Sequence, residues 1–270
     1  MSRAARILIF DSGLGGLSVV KALREIAPEA ELAYAADNAA FPYGDWQESA
    51  LVERMIAVME KLIATTEPDV VVIACNTAST IGLESLRHRF DVPFVGTVPA
   101  IKPAANMTKS GHISVLATPG TVDREYTKAL METYAFHVQV KLHGAENLAR
   151  MAEEKLTGKA VDLAALRAEI APVFVEDERG RTDVVVLGCT HYPLLLEELE
   201  QVAPWPVTFI DPAPAIARQA LRVIVENGLD DQAVSCDFAN RVLLTGDEGE
   251  SDIMLTALAD FGFDKAAEKP

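Results

Sequence analysis

Asp69-Val-Val-Val-Ile-Ala-Cys-Asn-Thr77 is a β-branched run that ends on a thiol, an amide and a hydroxyl. An apolar run this short, bounded by polar residues, predicts a strand buried on both faces of a sheet. It has a copy, Asp183-Val-Val-Val-Leu-Gly-Cys-Thr-His191, whose cysteine lies 114 residues after the first. Each strand therefore delivers a cysteine at its carboxyl end, just before a helix. In open parallel sheets, ligands bind beyond those ends. Two copies predict two α/β halves facing one another across a single site.

The flanking sequence supports that architecture. Arg6 to Phe10 reads as a first buried strand, closed by the turn Asp11-Ser-Gly-Leu-Gly-Gly16 and followed by helical spacing at Leu17, Val20, Leu23 and Ile26. Glu31 to Ala35 predicts a second strand, and Asp37 to Gly44 a loop at the top of the sheet. A helix over 48–63 follows, with Leu51, Met55, Val58 and Leu62 on its inner face. After the cysteine strand come a helix over 79–90 and a short strand over 92–96, where Pro93 suits a sheet edge. Such alternation implies right-handed βαβ units.

The pattern restarts near Pro99. It gives strands over 113–117, 137–142, 183–188 and 207–210, with helices over 101–107, 121–131, 146–155, 161–175 and 194–201. Ile7 to Gly13 and Ile113 to Pro119 overlay as strand plus polar turn, which reads as a weak internal duplication. Asp211-Pro-Ala-Pro opens a helix to about 226, with proline in its first turn. A strand over 241–245 and a helix over 251–261 complete the chain, and the terminal residues are expected to fray. The predicted fold is thus two similar doubly wound parallel-sheet domains, residues 1–98 with 210–270 and residues 99–209.

Composition narrows the function. The formal charge of −16 and a pI near 4.7 argue against nucleic acid and anionic membranes as partners. No apolar run spans a bilayer. Three cysteines without close spacing form neither a disulfide framework nor a zinc site, which suits a reducing cytoplasm. No Walker loop, metal-ligand cluster or cofactor-binding lysine stands out. The Gly13, Gly15 and Gly16 spacing is not that of a dinucleotide fingerprint.

Cys75 and Cys189 each precede a helix start, a setting that favours the thiolate. A redox dithiol would normally place its cysteines closer together. A Cys–His nucleophile would need only Cys189 and His191, leaving Cys75 idle. Two acid/base groups on opposite faces of one carbon use both thiols, one removing a proton while the other supplies one. Asp11 and His191 are the natural partners of Cys75 and Cys189. Ser12, the Pro42-Tyr43-Gly44 turn, Asn76, Thr77, Thr118, Thr121 and Thr190 offer neutral donors near helix starts, suited to carboxylates. Cys236 belongs to no motif and reads as a packing residue. His88, His112, His137 and His143 lie outside the turns and read as surface or internally satisfied residues.

These motifs, Asp11-Ser-Gly-Leu-Gly-Gly16, Pro42-Tyr-Gly44, Ala74-Cys-Asn-Thr-Ala-Ser79 and Leu187-Gly-Cys-Thr-His-Tyr-Pro193, resemble the cofactor-independent aspartate/glutamate racemase family, and within it the glutamate racemases. The resemblance runs in order from the first strand to about residue 225. It implies pseudo-twofold symmetry, an active site between the domains, and a C-terminal segment that returns to complete the first domain. It further implies that Cys75 exchanges the α-proton of D-glutamate and Cys189 that of L-glutamate, assisted by Asp11 and His191. Ser12, Tyr43, Gly44, Asn76, Thr77 and Thr190 would hold the substrate. A second-domain glutamate assists on the histidine side; Glu153 is the candidate beside Glu154, although Met151-Ala-Glu-Glu-Lys155 departs from the family's apolar-Glu-Gly pattern.

The role implied is supply of D-glutamate for peptidoglycan in a bacterial cytoplasm, with no cofactor and no metal. A homodimer or monomer–dimer equilibrium is expected. Val98-Pro-Ala-Ile-Lys-Pro103 resembles the subgroup activated by a cell-wall precursor. The rival readings are a racemase of the same family acting on aspartate or another amino acid, a non-catalytic amino-acid-binding protein, and a thiol hydrolase.

Overall fold

The repeated strand begins each time on an aspartate, and the structure, a computed structural model describing residues 5–122, 124–229, 238–263 and 267–270, explains why. The Asp69 carboxylate accepts the Arg6 N–H at 2.8 Å. That of Asp183 accepts the N–H groups of Lys109 and Ser110 at 2.7 and 3.0 Å and the Thr108 hydroxyl at 2.5 Å. Burial alone would raise the Asp183 pKa, but these donors together hold it below the usual value. Each aspartate pins the entry of the neighbouring strand, which sets the register of the apolar run behind it.

The chain divides into two compact units, Met1–Thr97 with Ala213–Pro270, and Val98–Pro212. In chain order the first unit opens with β1 (Arg6–Asp11), α1 (Leu17–Ile26), β2 (Glu31–Ala36), α2 (Glu48–Thr66), β3 (Val70–Ile73), α3 (Asn76–Arg89) and β4 (Phe94–Gly96). The second contains α4 (Ile101–Met107), β5 (His112–Ala117), α5 (Pro119–Val122), α6 (Glu125–Tyr134), β6 (Gln139–Gly144), α7 (Leu148–Leu156) and α8 (Leu163–Ile170). It continues through β7 (Glu176–Asp177), β8 (Gly180–Arg181), β9 (Val184–Gly188), α9 (Leu196–Val202) and β10 (Thr208–Ile210). The chain then returns to the first unit with α10 (Ala213–Glu226), β11 (Val242–Leu244), α11 (Glu248–Ala259) and β12 (Ala267–Glu268).

The first sheet has the order β12-β11-β2-β1-β3-β4 and the second β10-β9-β5-β6, parallel throughout. Read from the other edge, the second is β6-β5-β9-β10, the same connectivity as β2-β1-β3-β4. The two cysteine strands, β3 and β9, thus occupy equivalent places beside β1 and β5.

Both faces of β1 and β3 are covered, which is why these strands are apolar throughout. Leu8, Phe10, Val71 and Ile73 pack with Leu51, Met55, Met59, Leu62 and Leu86 of α2 and α3. Ile7, Ile9, Val70 and Val72 are fully buried on the opposite side, where α1 and α10 pack together and α10 covers β3. In the second unit Ile113, Val115, Val184 and Val186 pack with Ile101, Ala104 and Ala105 of α4.

Some sequence expectations shift. The buried stripe of α2 runs through Leu51, Met55, Met59, Leu62 and Thr66, in steps of 4, 4, 3 and 4, while Val58 is only partly buried at the margin of that face. Ile26, expected on the inner face of α1, is exposed at 46%. The helix expected over 161–175 stops at Ile170, and a tight turn over Ala171–Val173 and the β7-β8 hairpin follow. The end of the chain does not fray throughout: β12 pairs with β11, and Arg241 forms a two-point ion pair with Glu268. A short polar strand at a sheet edge carries no apolar signal from which to foresee it. Cys236 lies outside the described residues.

Candidate active-site residues

In the first unit the chemistry collects at the carboxyl ends of β1, β2 and β3. Cys75 caps α3: its backbone is extended, its sulfur accepts the Ala78 N–H at 3.5 Å, and the Ser12 hydroxyl lies 3.9 Å from the same sulfur. Helix N-terminal N–H groups favour an anionic sulfur. Asp11 is fully buried and accepts the Gly13 N–H at 2.9 Å, which shapes the turn that carries Ser12. Gly16 belongs to the same turn: a β-carbon there would stand 3.0 Å from the Tyr34 hydroxyl and 3.1 Å from Asp11.

Tyr43 is held from below. Its hydroxyl donates to Asp37 at 2.7 Å, and the fully buried Asp37 carboxylate also accepts two Arg54 N–H groups at 2.6 Å each and the Thr245 hydroxyl at 2.6 Å. Burial alone would raise the Asp37 pKa; the donors from Arg54, Thr245 and Tyr43 outweigh it and hold the carboxyl below its usual value. Burial, with the negative groups Asp37 and Cys75 nearby, pushes the Tyr43 phenol well above its ordinary value, so it remains a donor. The Trp46 indole lies under Arg54, with the guanidinium carbon 5.5 Å from the ring centroid, and donates to Ala40. The Pro42-Tyr43-Gly44 turn therefore rests on a fixed polar floor.

Asn76 supplies the observation that most directly asks for a ligand. Its side chain is 2% exposed, and among the described residues neither its nitrogen nor its oxygen has a hydrogen-bond partner. A buried amide left in that state costs stability unless something polar meets it. Thr97, just past β4, is similar: it is buried, its N–H donates to Ser79, and its hydroxyl has no partner among the described residues. The sequence reading passes over Thr97 and Asp37. Position one past a strand's carboxyl end is the signal that Thr97 shares with Cys189.

In the second unit Gly188 precedes Cys189 where the first copy has Ala74. A β-carbon there would lie 2.9 Å from that of Ala117, so the close approach of β9 to β5 requires glycine. Beyond it, Cys189, Thr190 and His191 are all buried. His191 Nδ1 lies 3.8 Å from the Cys189 sulfur, and Nε2 lies 2.8 Å from Glu153 Oε1. His191 presents Nε2 to the Glu153 carboxyl and Nδ1 to the Cys189 sulfur. A thiol, an imidazole and a carboxylate thus stand in line.

Glu154, the other candidate, points elsewhere and pairs with Lys159 at the surface. Thr118 and Thr121 hydrogen-bond to one another at 2.9 Å beyond β5. Tyr192 is fully buried, and burial with Cys189 and Glu169 nearby keeps its phenol protonated. No helix among the described residues is long and apolar enough to cross a membrane.

The Asp/Glu/Hydantoin racemase family model matches residues 17–220. The chain belongs to this family. Two curated relatives sharpen the placement. A glutamate racemase of Brucella canis is 51% identical over 86% of this chain and 84% of its own length. One of Sinorhizobium medicae is 51% identical over 89% and 93%. The crystal structure of Escherichia coli glutamate racemase in complex with L-glutamate and the activator UDP-MurNAc-ala matches with a TM-score of 0.91 and 40% identity, covering 99% of this chain and 98% of that one. Family membership accounts for the paired motifs: this racemase carries one thiol-bearing strand end in each unit.

Proposed function

We propose that this racemase interconverts L-glutamate and D-glutamate by a two-base proton transfer between Cys75 and Cys189 and the substrate α-carbon. The amino-acid racemase activity and the glutamate assignment follow from the relatives. What supports the two-base reading is the equivalence of the strand ends: β3 and β9 hold the same place in their sheets, and each ends in a buried cysteine. With L-glutamate, the Cys189 thiolate removes the α-proton and the Cys75 thiol donates from the other face; with D-glutamate the roles reverse. His191 takes the Cys189 proton and Glu153 stabilises the resulting imidazolium, while Asp11 and Ser12 serve Cys75. Asn76, Thr77, Thr118, Thr121 and Thr190, with the Pro42-Tyr43-Gly44 turn, hold the carboxylates.

The α-proton of an amino acid is far less acidic than a thiol, so the carbanion needs stabilisation. The reading assigns this to donors aimed at the carboxylate as it gains enolate character, and to exclusion of water. Asn76, whose side-chain amide has no partner among the described residues, has donor capacity to spare. The wider reading is supply of D-glutamate for peptidoglycan in the cytoplasm, a homodimer or monomer–dimer equilibrium, and activation by a cell-wall precursor of the kind named for the Escherichia coli relative.

Incubation of the purified protein with either enantiomer in D2O, without added cofactor, is expected to place deuterium at Cα and erase optical rotation. Absence of exchange, with reductant and a UDP-linked muramyl precursor both supplied, would overturn the reading. The carboxylate assignment has its own test. Glu153→Gln keeps an acceptor for His191 but removes its charge, and should lower kcat/KM by about tenfold or more. Glu154→Gln should stay within about twofold. Equal losses in the two variants would remove Glu153 from the proton-transfer scheme.

A further inference from the structure

Lys155 lies two residues after Glu153, and it is not solvated like a surface lysine. Its Nζ donates to the Leu194 carbonyl at 2.9 Å and to Glu198 Oε2 at 2.8 Å, and its side chain is 32% exposed. The acceptors belong to the segment that carries the second thiol. From Cys189 the chain makes a tight turn, with the Tyr192 N–H on the Cys189 carbonyl and the Leu194 N–H on the His191 carbonyl. A short 3-10 helix over Tyr192–Leu195 leads directly into α9, with Glu198 in its first turn. Glu153 grips the near end of this segment through His191, and Lys155 grips the far end. Residues two apart on a helix do not share a face, so α7 reaches the segment from two directions.

We infer that Lys155, with Glu198, is a positioning residue for the Cys189–His191 pair: it fixes the separation of α7 from the thiol turn, and so the length of the Glu153–His191 hydrogen bond. The Leu194 carbonyl and the Glu198 carboxylate would be poorly paired without an ammonium group between them. Loss of that group lets the turn shift away from Glu153. A sub-ångström displacement of an acid/base group is enough to slow proton transfer. The inference rests on the two-base reading above, in which Cys189 handles the L-enantiomer.

The test exploits a constraint on racemases. Enantiomers have equal free energies, so kcat/KM must fall equally in both directions, and a lesion at one base is invisible in that ratio. Isotope effects see it. If Lys155→Met slows the Cys189 transfer, kcat/KM should fall about 3- to 10-fold. The deuterium isotope effect on kcat/KM should rise with α-deuterated L-glutamate and fall toward unity with α-deuterated D-glutamate. Glu198→Gln, which leaves α7 untouched, should move both isotope effects in the same senses by less, and Lys155→Arg should restore wild-type values. A merely structural lysine would reduce the active fraction and the thermal midpoint while leaving both isotope effects unchanged, and that result overturns the inference. Opposite movements, or wild-type kinetics in Lys155→Met, also overturn it. Failure of the underlying reading looks different: wild-type protein itself would then incorporate no solvent deuterium at Cα, or Cys189→Ser would racemise at the wild-type rate.

Discussion

Cys75→Ser and Cys189→Ser are each expected to lower racemisation by about 10²- to 10⁴-fold, the usual contribution of a positioned acid/base group. Serine is nearly isosteric with cysteine but far less acidic, so the fold and glutamate affinity should persist while the proton relay fails. Cys75 and Cys189 are each buried, at 7% exposure, and serine is close to cysteine in volume, so neither change opens a large cavity. The double variant should be little worse than either single one, because residues that act as a unit are not additive. Circular dichroism of glutamate solutions reads the rate directly. Full activity in either variant would sink the two-base mechanism, and retained activity in Cys75→Ser alone would favour a nucleophile built on Cys189 and His191.

The second large effect concerns stability. Arg54→Met removes two of the donors on Asp37, a carboxylate with no exposed side-chain surface. Breaking one side of a buried pair costs about 3–5 kcal/mol; with the Tyr43 and Thr245 donors retained, the lower end applies. In a chain of this size that is a fall of roughly 6–12 °C in the unfolding midpoint. The pH dependence follows from the lowered Asp37 pKa. A carboxyl held below its unfolded value of about 3.9 stabilises the fold above that pH and ceases to do so as pH falls through the folded value. The deficit of Arg54→Met should therefore be complete at pH 6–8 and shrink below about pH 4. Asp37→Asn in the Arg54→Met background should recover part of the loss. Thermal melts between pH 3 and pH 8 check all three statements, and a deficit that grows on acidification would exclude Asp37 as its origin.

How much of this was legible in the sequence depended on the kind of interaction. Val70–Ile73 and Val184–Gly188 announce buried strands because burial on two faces demands unbroken apolar residues, and the equivalence of their positions followed from the repeat. Cys75, Cys189 and His191 were legible because they sit at strand ends, in line with the chain. Asp37 was not recognised, since a charged residue in a turn looks solvated; its partners Arg54 and Thr245 lie 17 and 208 residues away. Lys155 carried no signal of its own, since a lysine near the end of a helix looks solvated. The choice between Glu153 and Glu154 required knowing which side of α7 meets His191, a matter of helix rotation that no spacing rule settles within two adjacent glutamates. The edge strand β12 escaped because polar edge residues carry no periodicity.

The return of the chain to its first unit has a consequence for synthesis. β11 joins β2 through Val242↔Tyr34, Leu243↔Ala35 and Leu244↔Ala36, so the open edge of the first sheet waits for a strand made some two hundred residues later. The second unit is continuous in sequence and has no such wait. On the ribosome, residues 98–212 can therefore finish folding while the half that carries Cys75 still lacks its outer strand, its α10 cover and the Thr245 donor to Asp37. Nascent chains of this racemase should pass through a stage in which one thiol already stands in native surroundings and the other does not. During that interval the unpaired edge of β2 is the surface most in need of a chaperone.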